Sequence, residues 1–166
     1  MILMKKLFLL FLVIPFFLVG FTNTNTFITE VPDDFRLTAI SGSVSPDYPV
    51  YKIELAADGE GVYSVMPPEG RQNGKFKAVN RFKLDEIQLL LVYRAVMENN
   101  FFGLEKEYRD SSILDGSFAR LTVSAGGKSH TVRTQNIAVK GFDKIMLMIN
   151  AVTPENNKML YNEILL

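Results

Sequence analysis

Residues 50–66, VYKIELAADGEGVYSVM, decide the fold because they encode a β-hairpin. Apolar and polar residues alternate on both sides of Ala57-Asp58-Gly59, as in a half-buried strand pair. These three residues suit a turn with Gly59 in the left-handed region, which would place Ile53 opposite Tyr63. A two-residue turn would instead place Ser64 opposite Ile53 and move Tyr63 to the other face. Because a one-residue slip exchanges the two faces, burial favours the first register.

A helix is predicted after the strand that follows this hairpin. Asp85 is expected to cap it, with Gln88 as the capping-box partner, and the helix should run to about Asn99. Its apolar stripe consists of Leu89, Leu90, Val92, Tyr93, Val96 and Met97. Ile87 and Leu91 fall among the polar residues instead, so they are candidates for a second contact surface.

A second hairpin and a second helix follow. Gly126-Gly127 predicts a two-residue turn, which pairs Val123 with His130 and Leu121 with Val132. The second helix should span residues 142–152, and Thr153-Pro154 is expected to start a short final helix. The sequence therefore predicts an α+β fold, an antiparallel sheet built of two hairpin-plus-helix units with the helices packed on one face.

The N-terminus has the pattern of a secretory signal. Lys5 and Lys6 precede a run from Leu7 to Phe21 in which every residue is apolar, Pro or Gly. This run is shorter than the roughly 17 to 25 residues that span a bilayer, so cleavage near Gly20 is favoured over retention as an anchor. We predict a signal peptide (1–20), a tether (21–34) and one domain (35–166). The domain is expected to be periplasmic, at the cell surface or extracellular.

Composition excludes several classes of function. The chain contains no cysteine, which removes disulfides, thiolate catalysis and cysteine zinc sites. Lys+Arg and Asp+Glu both number 18, and the signal segment carries two of the lysines and no acid. The remaining domain is slightly acidic, which argues against a nucleic-acid partner. No cofactor, metal ligand set or catalytic residue is predicted, and the oligomeric state stays open.

Three segments together resemble a known family. They are 49–53 (PVYKI), 58–63 (DGEGVY) and 100–104 (NFFGL), and with the Gly-Gly hairpin the likeness covers most of residues 48–153. In their order and spacing they are similar to small bacterial exported and lipoprotein domains of unknown function. Many members have a cysteine where Tyr48 stands, so no disulfide or metal role carries over. The resemblance implies an exported location but no activity.

Two polar features could carry chemistry. His130 is the only histidine, and its predicted place in the hairpin favours a partly buried ring bonded locally. Four acids crowd the Glu105–Asp115 loop: Glu105, Glu107, Asp110 and Asp115. Leu114 stands where a calcium loop needs an oxygen ligand, so a solvated loop is expected. A carboxylate-based hydrolase using this loop is the alternative function.

The most uneven charge lies in a basic run without acids: Arg71, Lys75, Lys77, Arg81 and Lys83. The last four are predicted to share one strand face, with Phe76, Ala78 and Phe82 on the other. Such a row could make a weak contact with an anionic surface, and the alternative is the solvated face of an amphipathic strand. The leading prediction is an exported non-catalytic domain that binds a protein or cell-envelope component. The basic run and the Ile87/Leu91 patch are its two candidate surfaces.

Export can be tested directly. Because the apolar run is short and ends at a small residue, we expect the envelope form to lack residues 1–20. Intact-mass measurement of protein isolated from the cell envelope checks this. A mature chain that still starts at Met1 or Met4 would contradict the cleavage.

Overall fold

The computed structural model describes residues 28–159 and shows a mixed α+β fold. Within this range the strands are β1 (Arg36–Ser43), β2 (Val50–Ala56), β3 (Glu60–Met66), β4 (Lys77–Lys83), β5 (Glu107–Arg109), β6 (Ser117–Ala125) and β7 (Lys128–Gln135). The helices are α1 (Glu86–Glu98) and α2 (Lys140–Val152), with short 3-10 turns at Pro68–Asn73, Phe101–Gly103 and Glu155–Asn157. The predicted signal peptide and most of the predicted tether lie outside the described residues.

The strands form one sheet in the order β4-β3-β2-β1-β6-β7-β5. Every neighbouring pair is antiparallel except β5 and β7, which are parallel. The strand β5 was not predicted, because it lies inside the segment expected to be a polar loop. Its sequence signal is weak, since only Tyr108 stands between the charged residues Glu107 and Arg109.

The predicted register of the β2–β3 hairpin is confirmed. Ile53 pairs with Tyr63, and Gly59 has a φ of +85° at the turn. A Cβ at Gly59 would lie 2.5 Å from the carbonyl oxygen of Leu84, so glycine is required there for space as well as for conformation. The turn therefore fixes both the register and the approach of the chain to α1.

The register of the β6–β7 hairpin is also confirmed, with Val123 opposite His130. Its turn is held by Asp34, a residue of the predicted tether. The Asp34 carboxylate accepts hydrogen bonds from the backbone N–H groups of Gly126 (2.8 Å) and Gly127 (2.7 Å). These bonds lower the pKa of Asp34 below its usual value, because they stabilise the ionised carboxylate. The fold of the described residues thus includes Asp34, at the end of the segment predicted to be a tether.

Alternate residues of the central strands form a core face. This face carries Leu37, Ala39, Ile53, Leu55, Leu121, Val123 and Val132, none of them more than 3% exposed. Both helices contribute buried residues to the same hydrophobic cluster: Leu89, Val92 and Val96 of α1, and Phe142, Ile145, Met146 and Ile149 of α2. We call the opposite side of the sheet, which carries Thr38, Glu54, Thr122 and Thr131, the open face.

Local signals set the ends of α1. The capping box is present: Asp85 Oδ1 accepts the Gln88 N–H at 2.8 Å, and Gln88 Oε1 accepts the Asp85 N–H at 3.0 Å. The C-terminal end lies at Glu98, one residue before the predicted end. No helix within residues 28–159 is long and apolar enough to cross a membrane.

α2 ends at Val152 as predicted, and the difference from the prediction lies in the segment that follows it. Where a short final helix with Thr153 as its N-cap was predicted, the described residues form a 3-10 turn at Glu155–Asn157 with Pro154 at its N-cap. The Thr153 hydroxyl donates back to the Ile149 carbonyl at 2.7 Å, so it closes α2 instead of capping a new helix.

The buried register of β6 gives a stability test. Leu121 is fully buried and pairs with Ala39 and Val132, so Leu121→Ala should destabilise the protein by about 2 to 5 kcal/mol. Its exposed neighbour Arg120 lies on the open face, and Arg120→Ala should change stability by less than about 0.5 kcal/mol. Urea titration measures both. Equal losses would show that the faces of β6 are assigned wrongly.

Candidate functional site

The predicted row of positive charges on β4 is wrong. A bulge at Val79 shifts the β3–β4 register by one residue. Asn80 pairs with Tyr63 and Ala78 pairs with Ser64, so Val79 is an extra residue of β4 without a partner on β3. Lys77 therefore pairs with Val65 on the core-face side, whereas Arg81 pairs with Val62 on the open-face side. Paired residues share a face, so Lys77 and Arg81 point to opposite sides of the sheet.

The two ends of the predicted row are also separated from it. Lys75 precedes β4, and Lys83 forms an ion pair with Glu60 at 3.1 Å. Both partners of that pair are more than half exposed, so water and salt screen it. The basic run consequently contains no continuous row of free cations.

Arg71 is part of the domain's own framework. Its guanidinium donates hydrogen bonds to the backbone carbonyls of Ser43 (2.8 Å), Tyr48 (3.3 Å) and Ser45. It thereby ties the 3-10 turn at Pro68–Asn73 to the loop between β1 and β2. A planar guanidinium has five donors in a fixed fork, which suits several carbonyls at once.

We call these Arg71 hydrogen bonds the Arg71 clamp. Because they are internal to the domain, replacing Arg71 should lower the stability of the fold instead of the affinity for a partner. Arg71→Ala removes charge-assisted hydrogen bonds to three carbonyls, so we expect a loss of about 1.5 to 3 kcal/mol. Arg81→Ala, which removes an exposed arginine from β4, should cost less than about 0.5 kcal/mol. Urea denaturation of the two variants compares them, and similar midpoints would exclude the clamp.

The acidic loop is organised by local contacts. Asp110 accepts hydrogen bonds from the Ser112 hydroxyl (2.6 Å) and the Ser112 N–H (2.9 Å), and these bonds lower the pKa of the Asp110 carboxyl. The Tyr108 hydroxyl accepts the Glu105 N–H at 2.9 Å. These contacts explain the turn and β5 without requiring a ligand. Over residues 28–159, no group of three His, Asp or Glu side chains could hold a metal ion.

His130 lies at the edge of the core, as predicted. Its Nε2 is 2.9 Å from the Leu104 carbonyl oxygen, and its ring meets the Phe101 ring edge-on at 5.5 Å between centroids. In the described part of the chain, its contacts are therefore with a backbone carbonyl and an aromatic ring. They position the segment after α1 against β7.

The Ile87/Leu91 patch borders a groove between the two helices. Ile87 is 72% exposed and Leu91 39% exposed, so both side chains are available on the outer side of α1. Leu91 also lines a groove of about 840 Å³ together with residues of α2. Its apolar walls are formed by Leu91, Leu147 and Met148, and small residues, Ala95 and Ala151, lie among them.

The rim of the groove carries both signs of charge. Arg94 and Glu98 of α1 form an ion pair at 3.5 Å, and Lys144 of α2 is on the other side. The sequence identified only the α1 half of this groove. The α2 half could have been found from Leu147 and Met148, because these apolar residues fall outside the stripe of core residues on α2.

Comparison with known proteins adds no identity. No protein-family model matches the chain, and no curated protein is similar to it in sequence.

Proposed function

We propose that this protein is an exported, non-catalytic domain that binds a protein of the cell envelope through the groove between α1 and α2. The observation that carries the proposal is that the exposed Leu91 side chain lines this groove and lies one helical turn from the exposed Ile87 side chain. The export part rests on the signal pattern of residues 1–20. The domain's bacterial setting rests on the family resemblance.

The occupant we propose is an amphipathic helix of the partner. An apolar trough between two helices accepts the apolar side of a third helix, with anchors repeating every three or four residues. The small side chains of Ala95 and Ala151 support this choice, because they allow another backbone to approach closely. Burying exposed apolar surface such as that of Ile87 and Leu91 supplies the driving force, about 25 cal/mol per Å².

The charged rim supports a specific orientation of that helix. The Arg94–Glu98 pair and Lys144 lie on the two sides of the trough, so a partner with an acid toward Lys144 would be favoured. Rim charges of this kind determine which partner binds and how fast it associates, and they contribute less to the affinity.

We also infer that the domain consists of two hairpin-and-helix units with both helices on one face. The order of elements supports it, since the β2–β3 hairpin precedes α1 and the β6–β7 hairpin precedes α2. The strand β4 intervenes in the first unit only. In this arrangement the groove is the seam between the two units.

The groove can be tested by photo-crosslinking in intact cells. A benzoylphenylalanine at Leu91 should crosslink one envelope protein, and the crosslinked peptide should carry apolar residues at helical spacing. Met148→Glu should reduce the yield at least tenfold, because it places a charge in the apolar trough.

The matched control is the same crosslinker at Val79, which is 61% exposed on β4 and outside the groove. Equal capture from Leu91 and Val79, or capture unaffected by Met148→Glu, would overturn the proposed groove. A circular-dichroism melt of each variant checks that the domain remains folded.

A further inference from the structure

The open face carries an arginine pair that the fold alone does not explain. Arg120 on β6 lies directly opposite Arg133 on β7. Both side chains are exposed, and neither has a carboxylate within ion-pair distance in the described part of the chain. Like charges directly opposite each other in a sheet are destabilising, so their presence calls for a compensating partner.

The hydrogen-bond pattern places these two arginines in the closer kind of antiparallel pair. The Arg133 backbone N–H donates away from β6, to the carbonyl of Lys106 at 2.9 Å. Arg120 and Arg133 are therefore a pair without mutual backbone hydrogen bonds, in which the Cα atoms are about 4.5 Å apart and the side chains approach most closely.

Two more pairs of the same kind continue the stripe along the strands. Thr122 and Thr131 have their hydroxyl oxygens 2.9 Å apart, and so have Ser124 and Ser129. Within each pair one hydroxyl donates to the other, which leaves the proton of the accepting hydroxyl free. The stripe, which we call the arginine–hydroxyl stripe, consists of these three pairs. It spans about 14 Å, because successive pairs are two residues apart.

We infer that the arginine–hydroxyl stripe binds a linear phosphate polymer, with one phosphate group at the Arg120–Arg133 pair. Two adjacent guanidinium forks offer donors to several oxygens of one tetrahedral phosphate, and the hydroxyls offer further donors along the strands. Phosphates further along the chain would lie over the hydroxyl pairs. This surface is separate from the groove of the proposed function.

The shape and charge of the surroundings favour a polymer over a membrane. The stripe is one strand pair wide, and a twisted sheet presents such a stripe to a linear chain more easily than to a plane. A membrane would also meet the acids of the open face, Glu54 and Glu60, although each is paired with a lysine. Glu107 on β5 pairs in register with Arg133 on β7 and marks the outer limit of the stripe.

The experiment measures binding of sodium polyphosphate to the chain without residues 1–20, by isothermal titration calorimetry at low and high salt. Arg120→Gln with Arg133→Gln should weaken binding at least tenfold. It should also lower the slope of log affinity against log salt by about two, one for each lost phosphate contact. Glu107→Gln should strengthen binding, because it removes the nearest negative charge.

Lys75→Gln with Lys77→Gln is the matched control, since it removes two exposed charges near β4. It should leave affinity within about twofold. The arginine variants should not have a lower urea midpoint than wild type, because the substitution relieves repulsion. If the arginine variant loses binding while its urea midpoint is unchanged or higher, the loss comes from the site and not from unfolding.

Three outcomes would overturn the inference. Polyphosphate affinity could fall equally in the β4 control, it could be unchanged in the arginine variant, or the protein could bind anionic phosphatidylglycerol vesicles but not polyphosphate. Inorganic phosphate alone should bind much more weakly than the polymer, since it can occupy only the arginine pair.

Discussion

The rest of the structure depends on the pairing of β1 with two partners at once. This strand lies between β2 and β6 and is antiparallel to both. Leu37 and Ala39 of this strand lie in the core, with at most 1% of their surface exposed. A shift of β1 by one residue would move these side chains to the open face, so its register is coupled to those of both hairpins. The two halves of the chain form one sheet through this strand.

The parts of the fold that the sequence predicted are those set by neighbouring residues. Gly59 and the pair Gly126-Gly127 determine their turns through backbone conformation, and both registers follow by counting outward. The cap of α1 is similarly local, since Asp85 and Gln88 are three residues apart. In such cases the interacting groups are close in sequence, and stereochemistry leaves few alternatives.

The features that were missed depend on partners that are distant in the sequence. Arg71 contacts carbonyls 23 to 28 residues away, so nothing near it distinguishes a structural arginine from a binding one. The bulge at Val79 is set by the fit of β4 to β3, which a simple alternation of residues does not show. The same limit applies to the groove, because its walls come from helices more than 40 residues apart in sequence.

The Asp34 contact has a mechanical consequence. If the chain is held at its N-terminus, tension enters the domain through the residues just before β1. Asp34 passes part of that load to the β6–β7 turn through two hydrogen bonds. The remainder acts along β1, whose backbone hydrogen bonds to β2 and β6 lie across the direction of pull. Such a ladder is loaded in shear, so its bonds must yield together instead of opening one at a time. A tethered domain of this design resists extraction most strongly at the strand that also organises its fold.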